Sequence, residues 1–297
     1  MRPARPSLTA TLVAGVRALY AAFPSDLRVA PDPHAGALVP ALLRLPSQVV
    51  TAAPWAAPAV HRALGVASLG LSWHVALRTL AIDDAARDAL RAGARQIVLL
   101  GAGLDNRAGR LPEAAGARVL EVDHPDMQRH KRERLDRAGG AGGDRVFVPV
   151  NFETDSLGDE LDRAGFSAAT PTFWIWEGVT AYLTRAAVEA TLRAVAERSA
   201  PGSRIALTYV RPSEHMGERI DKLAVLLAHL VGEPVHARYH QPEMAALLAD
   251  LGFDVLSDEA DVDLAARYWK DPPSAHPRSI HLFPEWERLA VAERVAR

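Results

Sequence analysis

An α/β fold with a doubly wound, mostly parallel sheet and helices on both faces is predicted by three features of this 297-residue sequence. Short apolar runs alternate with longer amphipathic segments from about residue 96 onward. The first run passes straight into a glycine pair, Leu99-Leu100-Gly101-Ala102-Gly103-Leu104-Asp105. The second run ends on an acid, Asp123, about twenty residues later.

The elements follow in order. Residues 1 to 90 read as helices broken by proline turns, the clearest at Ala30-Pro31-Asp32-Pro33, and are expected to form a helical lid. A helix over 82–93 has an acid near its start and Gly93 at its stop. Strands are expected at 96–100, 118–122, 145–150, 172–176 and 205–210, with a late one starting at 253. Pro125 opens a charged helix over 125–137. Thr184 can cap a helix that carries Val188, Leu192 and Val195 on one face. Helices are also expected over 216–231 and 242–251, the first inside an insert spanning about 211–245. Residues 91–297 thus form the core domain.

Composition narrows the function classes. Thirty-six acids against thirty-four Lys and Arg give a net charge of -2, which offers no nucleic-acid footprint. With no cysteine, disulfides and zinc-thiolate sites are excluded. His61, His74, His236 and His240 have no metal-ligand spacing with nearby acids, so no metal is expected. Arg17 interrupts the apolar N-terminal stretch, and Pro46, Pro54 and Pro58 interrupt residues 45–60. No uninterrupted run is long enough to span a bilayer, so a cytoplasmic protein without a membrane partner is expected.

Right-handed crossovers bring the loops after each parallel strand to one edge of the sheet, where ligands bind. In the first loop, Gly101 and Gly103 permit a tight turn and close backbone approach. Asp123 suits the two hydroxyls of a ribose, or it caps the helix opened by Pro125; Glu121 lies on the same strand face. A dinucleotide-binding dehydrogenase is the first alternative. It lacks a third glycine, however, since Asn106 stands there. It also has no use for the acid Glu177 in Trp174-Ile175-Trp176-Glu177-Gly178. A carboxylate on that edge suits a cationic ligand group, and S-adenosyl-L-methionine (SAM) carries an ammonium and a sulfonium. Trp174 and Trp176 alternate along their strand and read as packing residues.

Six ordered segments carry a family resemblance: LRTLAIDD (77–84), VLLGAGLDNRAGRL (98–111), VLEVDHPDMQRHK (119–131), VNFETDSLGDELDRAGF (150–166), PTFWIWEGVTAYL (171–183) and SAPGSRIALTYV (199–210). With them the chain resembles the leucine carboxyl methyltransferase family, in its bacterial branch of SAM-dependent methyltransferases. The resemblance implies a class I methyltransferase-like (Rossmann-like) fold and SAM as cofactor; the family namesake's protein substrate is not carried over, and a small-molecule acceptor is expected instead. It implies that Arg78 pairs with the SAM carboxylate, that Gly101 and Gly103 lie beneath the methionine part, and that Asp123 holds the ribose. Asn151 and Phe152 fall beside adenine with Asp155 close by. Glu177 falls near the ammonium and Tyr182 at the mouth. Two positions depart from the family pattern. Asn151 stands where aspartate is frequent, and Leu80 replaces the second arginine of an R-T-R segment.

Methyl transfer to a carboxylate needs no base, whereas a phenol or alcohol does. Tyr209, Arg211 and His215 lie at or just past the fifth strand. Arg211 suits a carboxylate, and Tyr209 and His215 suit proton transfer. The function expected is an O-methyltransferase acting on a small-molecule carboxylate or hydroxyl. A SAM or nucleoside sensor without turnover and an NAD-dependent oxidoreductase are the alternatives.

Overall fold

The computed structural model describes residues 8–24, 27, 32, 34–68, 70–139, 145–212, 235–269 and 286–296. Five helices come first: α1 (Leu8–Ala21), α2 (Ala35–Leu38), α3 (Ala41–Ala52), α4 (Ala57–Ala67) and α5 (Leu71–Arg91). Alanine and leucine favour these helices, and Pro40, Pro54 and Pro58 set their starts. A Cβ on Gly65 would come within 1.8 Å of the Trp73 ring, so only glycine lets α4 lie this close to α5.

The core is a seven-stranded sheet in the order β3-β2-β1-β4-β5-β7-β6. The strands are β1 (Gln96–Leu100), β2 (Arg118–Asp123), β3 (Arg145–Pro149), β4 (Thr172–Trp176), β5 (Arg204–Val210), β6 (Phe253–Ala260) and β7 (Glu287–Arg294). β1 pairs in parallel with β2 on one side and β4 on the other, so the strand order reverses at β1. Crossover helices α7 (Pro125–Arg137), α8 (Leu157–Arg163) and α9 (Arg185–Glu197) join the parallel strands, and a short turn, α6 (Arg107–Arg110), follows the glycine loop. Ser156 and Thr184 cap α8 and α9 through side-chain bonds to Asp159 N–H and Ala187 N–H.

Strand alternation divides the core between the two faces. Ile97 and Leu99 pack with Leu77, Ile82, Phe173 and Ile175 on one face. Val98 and Leu100 pack with Trp174, Trp176, Val188 and Leu192 on the other. Trp174 and Trp176 are fully buried, and Trp174 Nε1 donates to Ser199 Oγ at 3.0 Å.

Three expectations need correction. The helix expected over 82–93 begins at Leu71, and its Trp73, Leu77 and Ile82 cover the sheet. The helical section is therefore no appendage along its whole length, since α5 is one of the sheet's own covering helices. The late strand starts at Phe253 as expected and runs to Ala260, with a register irregularity between Val255 and Ser257. β7 was not expected at all: Glu-Arg-Leu-Ala-Val-Ala-Glu-Arg has helix-forming composition, and antiparallel pairing with both β5 and β6 overrides it. The helix expected over 216–231 lies outside the described residues.

Candidate active site

At the carboxyl edge of the sheet lies a cavity of about 470 Å³, beside the strand-order reversal. That volume lies in the range of small-molecule and cofactor sites. Its floor is the loop after β1. Gly101 N–H and Ala102 N–H both donate to Val122 O, at 2.8 and 3.0 Å, which draws the loop against β2. Gly101 has φ +69, and an added Cβ would stand 2.4 Å from Val179 Cγ2. Backbone and space both demand glycine there.

Asp123 ends β2 at the cavity wall. Its carboxylate accepts from Gly103 N–H at 2.5 Å and from His124 N–H at 2.6 Å. Burial pushes this carboxyl up, and the two backbone donors oppose the shift. Glu121, two residues earlier, does not line the cavity. It is fully buried against Lys131 Nζ at 2.7 Å and Arg145 Nη1 at 3.3 Å, so the expectation that it reaches the site is corrected.

Asn151, Phe152 and Glu153 come from the loop after β3 and line the adjoining wall, where Val150 N–H donates to Asp123 O at 2.9 Å. Asn151 Oδ1 accepts from Glu153 N–H at 3.1 Å, and the Phe152 ring lies 6.3 Å from that of Trp176. Asp155 does not line the cavity. It is exposed and closes the turn by accepting from Asn151 N–H at 2.8 Å, which holds its carboxyl below the usual value. It supports the loop rather than facing a ligand.

At the end of the cavity nearest β4, Glu177 meets three arginines. Arg17 and Arg78 approach Oε1 at 2.5 and 2.9 Å, and Arg107 approaches Oε2 at 2.7 Å. Burial pushes the Glu177 carboxyl up, but Arg17, Arg107 and Arg78 outweigh it and hold it well below its usual value. Asp105 joins Arg17 and Arg107, and its carboxyl is pulled down to about 2. Behind them Arg107 and Arg110 hold Asp83, at 2.8 and 2.5 Å. Arg78 also donates to Glu287 on β7 at 2.7 Å. Glu287 and Asp261 flank His74, whose pKa rises to about 9 because the two carboxylates outweigh its burial. The cavity end is therefore a charge-balanced lattice of arginines and acids.

Of the residues expected at the site, Arg78, Gly101, Gly103, Asp123, Asn151, Phe152, Glu177 and Tyr182 are brought together around one cavity. Tyr182 sits on a helical turn over Thr180–Tyr182, anchored by Thr180 Oγ1 donating to Thr208 O at 2.7 Å. Tyr209 does not join them. It faces the other side of β5, and its hydroxyl donates to Asp258 Oδ2 at 2.6 Å on β6. Its expected catalytic placement is corrected by the same alternation that points Thr208 at Gly178 N–H. Arg211 is not among the cavity residues; its backbone N–H donates to Trp286 O at 2.8 Å. His215 lies outside the described residues. Among the cavity residues that the sequence did not single out are Arg17 and His236. Arg17 reaches in from α1, and its signal was one charge inside an apolar helix. His236 stands at the rim, where its backbone N–H donates to Ala181 O at 2.7 Å.

The arrangement disfavours a dinucleotide. α6 is four residues long, and Asn106 is tied to Asp32 at 2.7 Å and Arg145 at 2.8 Å. No long helix offers its N-terminus to a pyrophosphate at this loop.

The profile of the leucine carboxyl methyltransferase family matches residues 10–196. A "Putative S-adenosyl-L-methionine-dependent methyltransferase" of Mycobacteroides abscessus is 38% identical over 264 residues, covering 88% of this chain and 80% of its own. Two solved structures are similar in fold. A DUF574 family protein from Streptomyces avermitilis has a TM-score of 0.58 at 14% identity, covering 98% of each chain. A putative methyltransferase from Thermobifida fusca has a TM-score of 0.55 at 18% identity, covering 99% of this chain and 96% of its own.

Proposed function

The chain belongs to the leucine carboxyl methyltransferase family of SAM-dependent methyltransferases, and we propose that it transfers a methyl group to a carboxylate or hydroxyl oxygen of a small molecule. The observation that carries this reading is the pairing of Asp123 with the glycine loop at one end of the cavity and the arginine–acid lattice at the other. The two ends match the two ends of SAM, a nucleoside and an amino acid.

The residues fit the cofactor. With two of its acceptor positions on backbone N–H groups, Asp123 keeps others for ribose hydroxyls. Phe152 supplies an apolar wall and Asn151 an amide for adenine. Arg78 and Arg17 suit the amino-acid carboxylate. Glu177 receives three arginines, which leaves one of its roughly four lone-pair positions for an ammonium. Because the lattice balances its own charges, a zwitterion enters it without leaving a buried charge unpaired.

When bound, SAM supplies a sulfonium-activated methyl group. The protein's part is to orient and to exclude water. Gly101 and Val179 define a close-packed floor, and Val13 from α1 also lines the cavity. An acceptor oxygen must be held in line at about 3 Å from the methyl carbon. Transfer forms one carbon–oxygen bond, breaks one carbon–sulfur bond and releases S-adenosylhomocysteine. A carboxylate acceptor needs no proton removed, whereas for a hydroxyl acceptor Tyr182 stands at the cavity wall to bind it or relay its proton.

The test is incubation with methyl-labelled SAM and a panel of carboxylic acids, phenols, amines and thiols. Label released as methanol by mild base marks an ester, and base-stable label marks an ether. Label on nitrogen or sulfur acceptors alone contradicts the reading.

A further inference from the structure

The outer face of the N-terminal helices takes no part in the site. Ten large hydrophobic side chains stand exposed among the described residues, and seven of them lie between Leu8 and Val66. Leu42, Leu45 and Val49 recur at three and four residues along α3 and are 74%, 51% and 49% exposed. Trp55 follows on the next turn and is 84% exposed. An apolar patch of this kind marks an interaction surface.

Its charge says what kind. Pro33 to Ile82 is fifty residues without one acid. Of the three arginines in that stretch, Arg78 is buried against Glu177, while Arg44 on α3 is half-buried. Arg62 lies exposed on α4, beside the apolar positions of that helix. We propose that this face docks on an anionic lipid bilayer, with α3 and Trp55 lying in the headgroup interface. Leucine, valine and tryptophan with arginine and no acid is the composition of helices that lie in that layer. A second copy docking on the same face would oppose arginines to arginines with no acid from Pro33 to Ile82 to meet them, which disfavours self-association. No single helix among the described residues is long and apolar enough to cross a membrane. The proline breaks that argue against a span at Pro46, Pro54 and Pro58 do not hinder short helices from lying flat. The expectation of no membrane partner is revised on that ground.

The face is one helix removed from the cavity. Thr9, Val13 and Arg17 of α1 line the cavity, while Gly15 on the same helix meets Leu43 of α3. The proposal does not depend on which acceptor is methylated.

Co-sedimentation of the full chain with vesicles tests it. One set is equal parts phosphatidylglycerol and phosphatidylcholine, the other phosphatidylcholine alone. The wild type should bind the anionic set at least about tenfold better. Val49→Glu and Trp55→Ser should each lower that binding by about tenfold. Both positions are exposed, so S-adenosylhomocysteine affinity should stay within about twofold and report an intact fold. Equal binding to both vesicle sets, no binding, or variants that bind like wild type would overturn the proposal. So would a wild-type dimer that either substitution converts to monomer.

Discussion

Gly103 N–H donates to Asp123 Oδ2 at 2.5 Å, joining two loops twenty residues apart. The carboxylate thereby fixes the glycine loop to the end of β2 before any ligand arrives. Asp123→Asn replaces one acceptor oxygen by an NH₂ group and orphans one backbone donor. Thermal unfolding of the ligand-free variant should show a loss of about 1–2 kcal/mol. Unchanged stability would mean that the loop holds its shape without the carboxylate.

Gly101→Ala should be worse tolerated than its size suggests. The new methyl meets Val179 Cγ2 at 2.4 Å, and φ is +69. Denaturant unfolding should give a loss of about 2–3 kcal/mol, combining left-handed strain with overpacking. Adding Val179→Ala should recover the steric part and leave about 1 kcal/mol of backbone cost. Full recovery would show that backbone conformation costs nothing at this position.

Stability should depend on pH from both sides. His74 is raised from 6.5 to about 9, so its contribution is complete below 6.5 and is lost as pH rises through about 9. Glu287 and Asp105 are lowered to about 2 from 4.5 and 3.8, so theirs are complete above about 4.5 and are lost as pH falls toward 2. Melting temperature should therefore be highest between about pH 4.5 and 6.5. His74→Gln should lower that plateau and flatten the fall above it. An alkaline fall that survives the substitution would assign it to another group.

Tyr209→Phe separates fold from function. The hydroxyl bonds Asp258, which also meets Arg288 at 2.6 Å. Its loss should cost about 1–2 kcal/mol of stability and leave S-adenosylhomocysteine affinity within about twofold. A large loss of affinity at unchanged stability would bring this tyrosine into the site.

Local spacing made the glycine loop and Asp123 legible, because a strand, a turn and the next strand's end fix their separation. Trp174 and Trp176 were legible as packing residues by alternation alone. Arg17 was not: its partners Glu177 and Asp105 lie far along the chain, and only folding brings α1 across the sheet edge. Glu177 and Arg78 were both found, but the convergence of Arg17, Arg78 and Arg107 on one acid was not, since no sequence pattern encodes which cations meet there. Tyr209 failed on the parity of one strand position. β7 failed because its residues prefer helix and only the gap between β5 and β6 makes it a strand.

We propose that one cavity binds the nucleoside of SAM through Asp123. Calorimetric titration with S-adenosylhomocysteine, compared with NAD and repeated on Asp123→Ala, tests it most directly. The wild type should bind S-adenosylhomocysteine and not NAD, and the variant should lose about 2–3 kcal/mol, roughly 30- to 150-fold. Equal affinity in wild type and variant, or binding of NAD in place of S-adenosylhomocysteine, would contradict it.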